Sequence, residues 1–484
     1  MDLHTLINSA KFISAIGIGL ALFFLIPIGT GIVYGENMAP FIRFDLLFFL
    51  FNLVLFAALY RRRMRMTVKS AIFSVNLVWI LLGIAGAVPL YIYTEATFTE
   101  SFFEAISGFT TTGATIYTEI EHLPKSILML RSLMHWLGGM GIIVLGVGLL
   151  SLINPTGSMT MFRAESTGVQ LEKATPKIRD TALRLWGLYL FFTAANTVLL
   201  LAGGMNLFDA VNHAFSTIST GGFSTRDLSM GYWDDAPVIL WTTTFFMMLS
   251  GINFLAHLKA ARGDFSGFRA EEVRWYLGLF ILLASVLTLV HLANSGDSIV
   301  YSTTHAFFTV ASLLTTTGFA TINYELWGAV PVALLLIAML LGGNAGSTAG
   351  GMKIIRYVIL FKNLKSQLKQ ILHPNAVVGV FVDRKPVSSK VIGSVSGFLF
   401  LFITTNVLLT FYLFARGYDA VTCISTSIAC VGNIGPGFAM TGPSENFHFF
   451  SGIDKMILSA AMIIGRLEFF TVVLLFTRDF WKRY

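Results

Sequence analysis

Glu100-Ser-Phe-Phe-Glu-Ala-Ile-Ser-Gly-Phe-Thr-Thr-Thr-Gly113 is a half-polar stretch set between two long apolar runs, and it recurs three more times. The copies read Asp209-Ala-Val-Asn-His-Ala-Phe-Ser-Thr-Ile-Ser-Thr-Gly-Gly222, His305-Ala-Phe-Phe-Thr-Val-Ala-Ser-Leu-Leu-Thr-Thr-Thr-Gly318 and Asp419-Ala-Val-Thr-Cys-Ile-Ser-Thr-Ser-Ile-Ala-Cys-Val-Gly432. Each starts with a polar group and ends in Gly, with a small hydroxyl residue (Ser107, Ser216, Ser312, Thr426) six positions before it. Internal repeats decide the whole fold and come before motifs. A single Thr-Thr-Thr-Gly would be a loop; four copies at one offset are an architecture.

The chain around them has 484 residues, of which 55% are hydrophobic and only 12% charged. A soluble domain carries about 25% charged residues, so this chain cannot coat itself for water. Soluble enzymes, disordered chains and collagen-like fibres are excluded, and an integral membrane protein remains. Two cysteines, Cys423 and Cys430, rule out a disulfide framework. The start shows no signal-peptide pattern.

A membrane span needs about 20 mostly apolar residues. Phe12–Val33 and Leu46–Tyr60 read as two N-terminal helices. Then come paired runs at Ile72–Tyr93 and Ile127–Ile153, Thr181–Leu201 and Val238–Leu258, Trp275–Ala293 and Val330–Leu360, Val391–Ala415 and Met456–Phe476. The expected division is a two-helix unit over 1–69 and pore repeats over 70–178, 179–270, 271–389 and 390–484, all α-helical.

Arg61-Arg62-Arg63-Met64-Arg65 anchors the cytoplasmic side under the positive-inside rule, placing both termini inside. Outer segments then hold only Lys125, Arg226, Arg416, Lys455 and Arg43, whereas 16 of the 26 acidic residues lie on or near that face. An acidic mouth concentrates cations.

Ten apolar-leaning residues make a half-helix of about 15 Å at 1.5 Å per residue, too short to span. An acid at its start suits the positive end of the helix dipole, and the negative end then points at the membrane centre. Bare backbone at that depth is tolerated only where it lines a water-filled cavity. Gly allows φ > 0, and four strands of carbonyls around one axis replace the hydration shell of potassium. The expected ion site is Thr111, Thr112 and Gly113; Thr220, Gly221 and Gly222; Thr316, Thr317 and Gly318; and Val431, Gly432 and Asn433. In this register Gly435 and Gly437 have no partners elsewhere.

At these residues the chain resembles the TrkH branch of the Trk/Ktr/HKT superfamily of potassium transporters, over essentially its whole length. The resemblance implies two extra N-terminal helices and four helix–pore loop–helix repeats around a pseudo-fourfold pore. It implies potassium uptake across a bacterial inner membrane, a homodimer, and a cytosolic nucleotide-binding regulatory ring of the RCK type (TrkA-like) that carries the nucleotide. K⁺ is the transported ion, and this chain is expected to hold no organic cofactor and no enzyme chemistry. In the family a Ser at the first filter position goes with sodium, so Gly113 favours potassium.

Two further features concern gating. Gly342-Gly343-Asn344-Ala345-Gly346-Ser347-Thr348-Ala349-Gly350-Gly351 interrupts an apolar run with five Gly, each costing a helix about 1 kcal/mol relative to Ala. A phosphate loop would need Gly-Lys-Ser/Thr after a strand, and the sequence gives Gly351-Met352-Lys353. Small-residue packing and a broken, pore-lining helix remain, and the break matches the intramembrane loop that the resemblance places below the filter. Arg466 stands ten residues into the last run, beside Glu468. An intramembrane charge is costly and faces a cavity or a partner: either backbone carbonyls satisfy it, or it blocks cations in the pore. Arg131 is expected to snorkel near Lys125.

His135, His213 and His305 have no ligand spacing, so no metal site beyond the K⁺ filter is expected. The linkers Asn154–Arg179, Lys259–Arg274 and Lys362–Lys390 serve either lipid anchoring or docking of a cytosolic regulator, and no nucleic acid is implied. A K⁺/H⁺ or K⁺/Na⁺ symporter and the potassium-binding subunit of an ATP-driven pump stand as alternatives.

Overall fold

A computed structural model describes residues 3–61, 67–148, 175–376 and 378–482. Most of the arginine cluster at 61–65 and of the 154–179 linker, and the end of the Ile127–Ile153 run, lie outside the described residues. Among the described residues the fold is all-α apart from one small hairpin. Helices α1 (Leu3–Val33) and α2 (Ala39–Leu59) pair ahead of the repeats. Their outer faces are apolar and exposed, as at Leu47, Phe51 and Val54, which suits a lipid surround rather than water.

Repeat one is α3 (Val68–Tyr93), the half-helix α4 (Phe98–Phe109) and α5 (Lys125–Gly148). Repeat two is α6 (Thr175–Ala202), α7 (Leu207–Ile218) and a broken span, α8 (Pro237–Ser250) and α9 (Phe254–Ala260). Repeat three is α10 (Glu271–Asn294), α11 (Ile299–Leu314), α12 (Ala329–Leu341) and α13 (Ile354–Leu372). A two-residue turn at Asp383-Arg384, both at positive φ, joins β1 (Phe381–Val382) to β2 (Lys385–Pro386). Repeat four is α14 (Ser389–Ala415), α15 (Ala420–Gly432), α16 (Gly452–Arg466) and two short pieces, α17 (Phe470–Val473) and α18 (Arg478–Trp481).

The half-helices begin alike. Thr97, Asn206, Ser298 and Asp419 each accept, by their side chain, the backbone N–H three residues on. Such caps satisfy otherwise orphaned donors and fix where the helix starts. The hydrophobic core is divided among the seams between repeats. Leu133, Trp136, Tyr189 and Ile218 join repeats one and two, while Tyr276, Phe308 and Met247 join two and three. Leu313, Ala338 and Ile434 join three and four, and Phe103, Ile106, Leu458 and Met462 join four and one.

Two further spans are bent as well as the one interrupted by the glycine-rich stretch. The Val238–Leu258 run turns through 98° between α8 and α9, and the Met456–Phe476 run turns through 112° after Arg466. The first turn is capped by Asn253, whose side chain accepts from Leu255 N–H. At the second, Glu468 and Phe469 both have positive φ. Neither site is rich in glycine, so composition gives no sign of the break.

Candidate ion pathway

Each half-helix ends in two left-handed residues separated by one. The pairs are Thr111 and Gly113, Thr220 and Gly222, Thr316 and Gly318, and Asn433 and Gly435. Left-handed backbone is strained for Thr and easy for Gly and Asn, so four such pairs mark a repeated, enforced conformation. The strands close on one another. A Cβ added to Gly113 would fall on the carbonyl oxygen of Gly221, one on Gly222 on that of Thr317, one on Gly318 on that of Ile434, and one on Gly435 on that of Thr112. Each glycine thus leaves room for the carbonyl preceding the glycine of the next strand, and the fourth returns to the first.

This ring corrects the expected register in repeat four. Val431 and Gly432 are the last residues of α15, and the fourth strand is Asn433-Ile434-Gly435. The second helices agree. A Cβ on Gly138 of α5 would meet the carbonyl of Phe109, four before Gly113, and one on Gly465 of α16 would meet that of Val431, four before Gly435. The ring brings together Thr111, Thr112, Gly113, Thr220, Gly221, Gly222, Thr316, Thr317, Gly318 and Asn433. Ile434 and Gly435 were missed. Nor is the hydroxyl six before each glycine shared, since that position in repeat four is Ala429. Side chains brace the strands from behind. Thr110 pairs with Thr112 and Thr315 with Thr317, each at 2.7 Å, and Asn433 Nδ2 donates to Thr112 Oγ1 at 2.9 Å.

Above the ring opens a vestibule of about 320 Å³. Gly113, Gly222, Gly318 and Gly435 all line it, as do Asp227 and Glu445. In the loop beside it, Glu325 accepts from Ala439 N–H at 2.5 Å, and burial raises its carboxyl above the usual range.

Beneath the ring runs the loop from Gly342 to Gly351. Gly350 N–H donates to Thr316 Oγ1 at 2.6 Å, Gly351 N–H to the Gly432 carbonyl at 2.8 Å, and Thr348 Oγ1 to the Ile218 carbonyl at 3.1 Å. The loop thereby touches the inner ends of half-helices two, three and four. On its other side Asn344 N–H donates to the Gly251 carbonyl at 2.9 Å, and Gly343 accepts from Ile354 N–H. Ala345 N–H donates to Glu272 Oε1 at 2.5 Å, and Gly346 accepts from Phe254 N–H. Ser347 turns its hydroxyl onto the Asn344 carbonyl, and Lys353 Nζ reaches the Ala349 carbonyl. Arg466, buried, donates to the carbonyls of Thr348 at 3.1 Å and Gly138 at 3.4 Å. Two backbone carbonyls accept from its charge, one of them in the loop itself, while its buried Nε has no partner.

The expectation for Arg131 fails. It does not snorkel: it is 1% exposed and ion-paired with the equally buried Glu104 at 2.8 Å. Among the described residues no cluster of three or more His, Cys, Asp or Glu is suited to hold a metal ion.

A family model described as a cation transport protein, TrkH, matches residues 39–483. The chain belongs to the TrkH family of cation transport proteins. It is 38% identical over 421 residues, 86% of each chain, to the Trk system potassium uptake protein TrkH of Escherichia coli K12. It is 36% identical to the same-named protein of Vibrio parahaemolyticus, over 98% of this chain and 99% of that one. The crystal structure of the potassium transporter TrkH from Vibrio parahaemolyticus matches with a TM-score of 0.90, at 32% identity and full coverage of both chains. TrkH membership makes the chain a multi-pass membrane transporter, not an enzyme.

Proposed function

We propose that this chain carries potassium into a bacterial cell through the ring at Thr111–Gly113, Thr220–Gly222, Thr316–Gly318 and Asn433–Gly435, with backbone carbonyls as the ion's ligands. The observation that carries this reading is the closed cycle in which each glycine makes room for the next strand's carbonyl. Carbonyl ligands can stand in for a potassium hydration shell only when several strands converge. The relatives named as potassium uptake proteins support the choice of ion.

The gate in this reading is the Gly342–Gly351 loop held by Arg466. The loop lies under the inner ends of three half-helices, and a fixed positive charge there opposes a cation. Two charges about 4 Å apart repel by roughly 4 kcal/mol at an effective dielectric of 20. A homodimer in the inner membrane, with both termini cytoplasmic and an RCK-type partner that holds the nucleotide, completes the proposal. Contacts from the inner side support such control. Asp383 of the hairpin turn accepts from Glu271 N–H at 2.8 Å, Lys362 pairs with Glu271, and the next residue, Glu272, holds the loop at Ala345.

The test is K⁺ flux into liposomes containing the purified protein, with and without the partner. Flux that prefers K⁺ over Na⁺ supports the proposal, and its absence under both conditions overturns it.

A further inference from the structure

The buried pair Glu104 and Arg131 stands behind the outer end of the ring. Glu104 lies nine residues before Gly113. The matching positions in the other repeats are His213, Thr309 and Thr426, so the carboxylate belongs to repeat one alone. Glu104 accepts from Ile116 N–H at 2.9 Å, from Thr115 Oγ1 at 3.0 Å and from Arg131 Nε at 2.8 Å. Arg131 spends its remaining donors on two different strands. Its Nη2 donates to Thr115 Oγ1 at 3.1 Å, two residues past Gly113, and its Nη1 to the Ser224 carbonyl at 3.2 Å, two residues past Gly222. Its guanidinium lies 4.1 Å from the ring centre of Phe223, the residue just after Gly222.

One planar, five-donor group therefore ties the outer ends of strands one and two together. A planar fork fixes geometry in a way that an ammonium cannot. Arg131 also lines the vestibule, where an uncompensated positive charge would repel the incoming cation. Glu104 cancels it. A buried ion pair is a weak source of stability, so the geometry of this one, tied to two strands at once, carries the argument for its role.

We propose that Glu104 and Arg131 are a positioning pair for ion selection: the arginine sets the spacing of strands one and two, and the glutamate removes its charge from the cation's path. The proposal rests on the ring being the ion site. The test compares K⁺ and Na⁺ flux in liposomes for E104Q, R131K, T115V and the double variant E104Q/R131M, with G113S as the reference for the ring itself. In E104Q and R131K the K⁺/Na⁺ flux ratio should fall about tenfold, the change that roughly 1.4 kcal/mol of relative affinity gives.

In E104Q, K⁺ flux should also fall, because the charge of Arg131 is left bare. The double variant should regain flux while its ratio stays low, a split that a general loss of fold does not produce. Should E104Q fail to fold, T115V, which keeps size and ion pair, must still lower the ratio. Wild-type ratios in R131K and T115V beside a lowered ratio in G113S overturn the positioning pair alone. An unchanged ratio in G113S overturns the ring reading instead.

Discussion

Arg466 Nη1 donates to the carbonyl oxygen of Thr348 at 3.1 Å, joining the last residue of α16 to the middle of the loop beneath the ring. A second donor reaches Gly138 of repeat one at 3.4 Å, so one side chain fastens the loop to the quarter whose half-helix end it does not touch among the described residues. A hydrogen bond from a charged group contributes about 1.5–3 kcal/mol.

Arg466→Ala should therefore weaken the closed loop. The expected result is K⁺ flux without any partner raised about tenfold or more, with the K⁺/Na⁺ ratio unchanged. Shortening the loop should act in the same direction. If both variants keep wild-type flux, the gate lies elsewhere and Arg466 serves only to satisfy backbone.

The corrected register separates two glycines three residues apart. Gly435 has φ +98 and a Cβ there meets the Thr112 carbonyl, whereas Gly432 ends a helix and a Cβ there meets only the flexible Ile434 side chain. Gly435→Ala should lower K⁺ selectivity strongly and Gly432→Ala should leave it near wild type. The opposite ranking in a K⁺/Na⁺ flux assay restores the register read from the sequence.

Close packing of the second helices onto the half-helices gives a stability prediction. A Cβ at Gly138 or Gly465 would strike backbone oxygen, which cannot swing aside. Overpacking of this kind costs about 1–3 kcal/mol. Gly138→Ala and Gly465→Ala should each lower the melting temperature in detergent, while Gly187→Ala, with open space around it, should not. Equal melting of all three would contradict the packing described.

The repeat architecture was legible because hydropathy and the recurring small-residue clusters report it directly. The fourth strand was not, because Val431-Gly432 imitates the end of the other copies while Asn433-Ile434-Gly435 lacks their Thr or Gly neighbours. Cap spacing holds the missing signal in three repeats: sixteen residues separate Thr97 from Gly113, Asn206 from Gly222 and Asp419 from Gly435, whereas the longer third half-helix puts Ser298 twenty before Gly318. Asp419 is a cap, not the counterpart of Glu100. The loop and Arg466 were readable as exceptions, five Gly and one charge inside apolar runs. The bends near Ile252 and Glu468 were not, since a hydropathy profile is blind to backbone direction. Arg131 was misread for want of its partner, 27 residues earlier. A carboxylate such as Glu104 halfway along an intramembrane helix demands one, and that demand is the clue.

The central claim is that four backbone strands, each with its glycine, select the ion. It is tested most directly by the K⁺/Na⁺ flux ratio of the four variants G113S, G222S, G318S and G435S in liposomes. Each places a Cβ on a neighbour's carbonyl at positive φ, and each should admit more Na⁺ and lower the ratio, whichever repeat is changed. A wild-type ratio in all four would contradict the account.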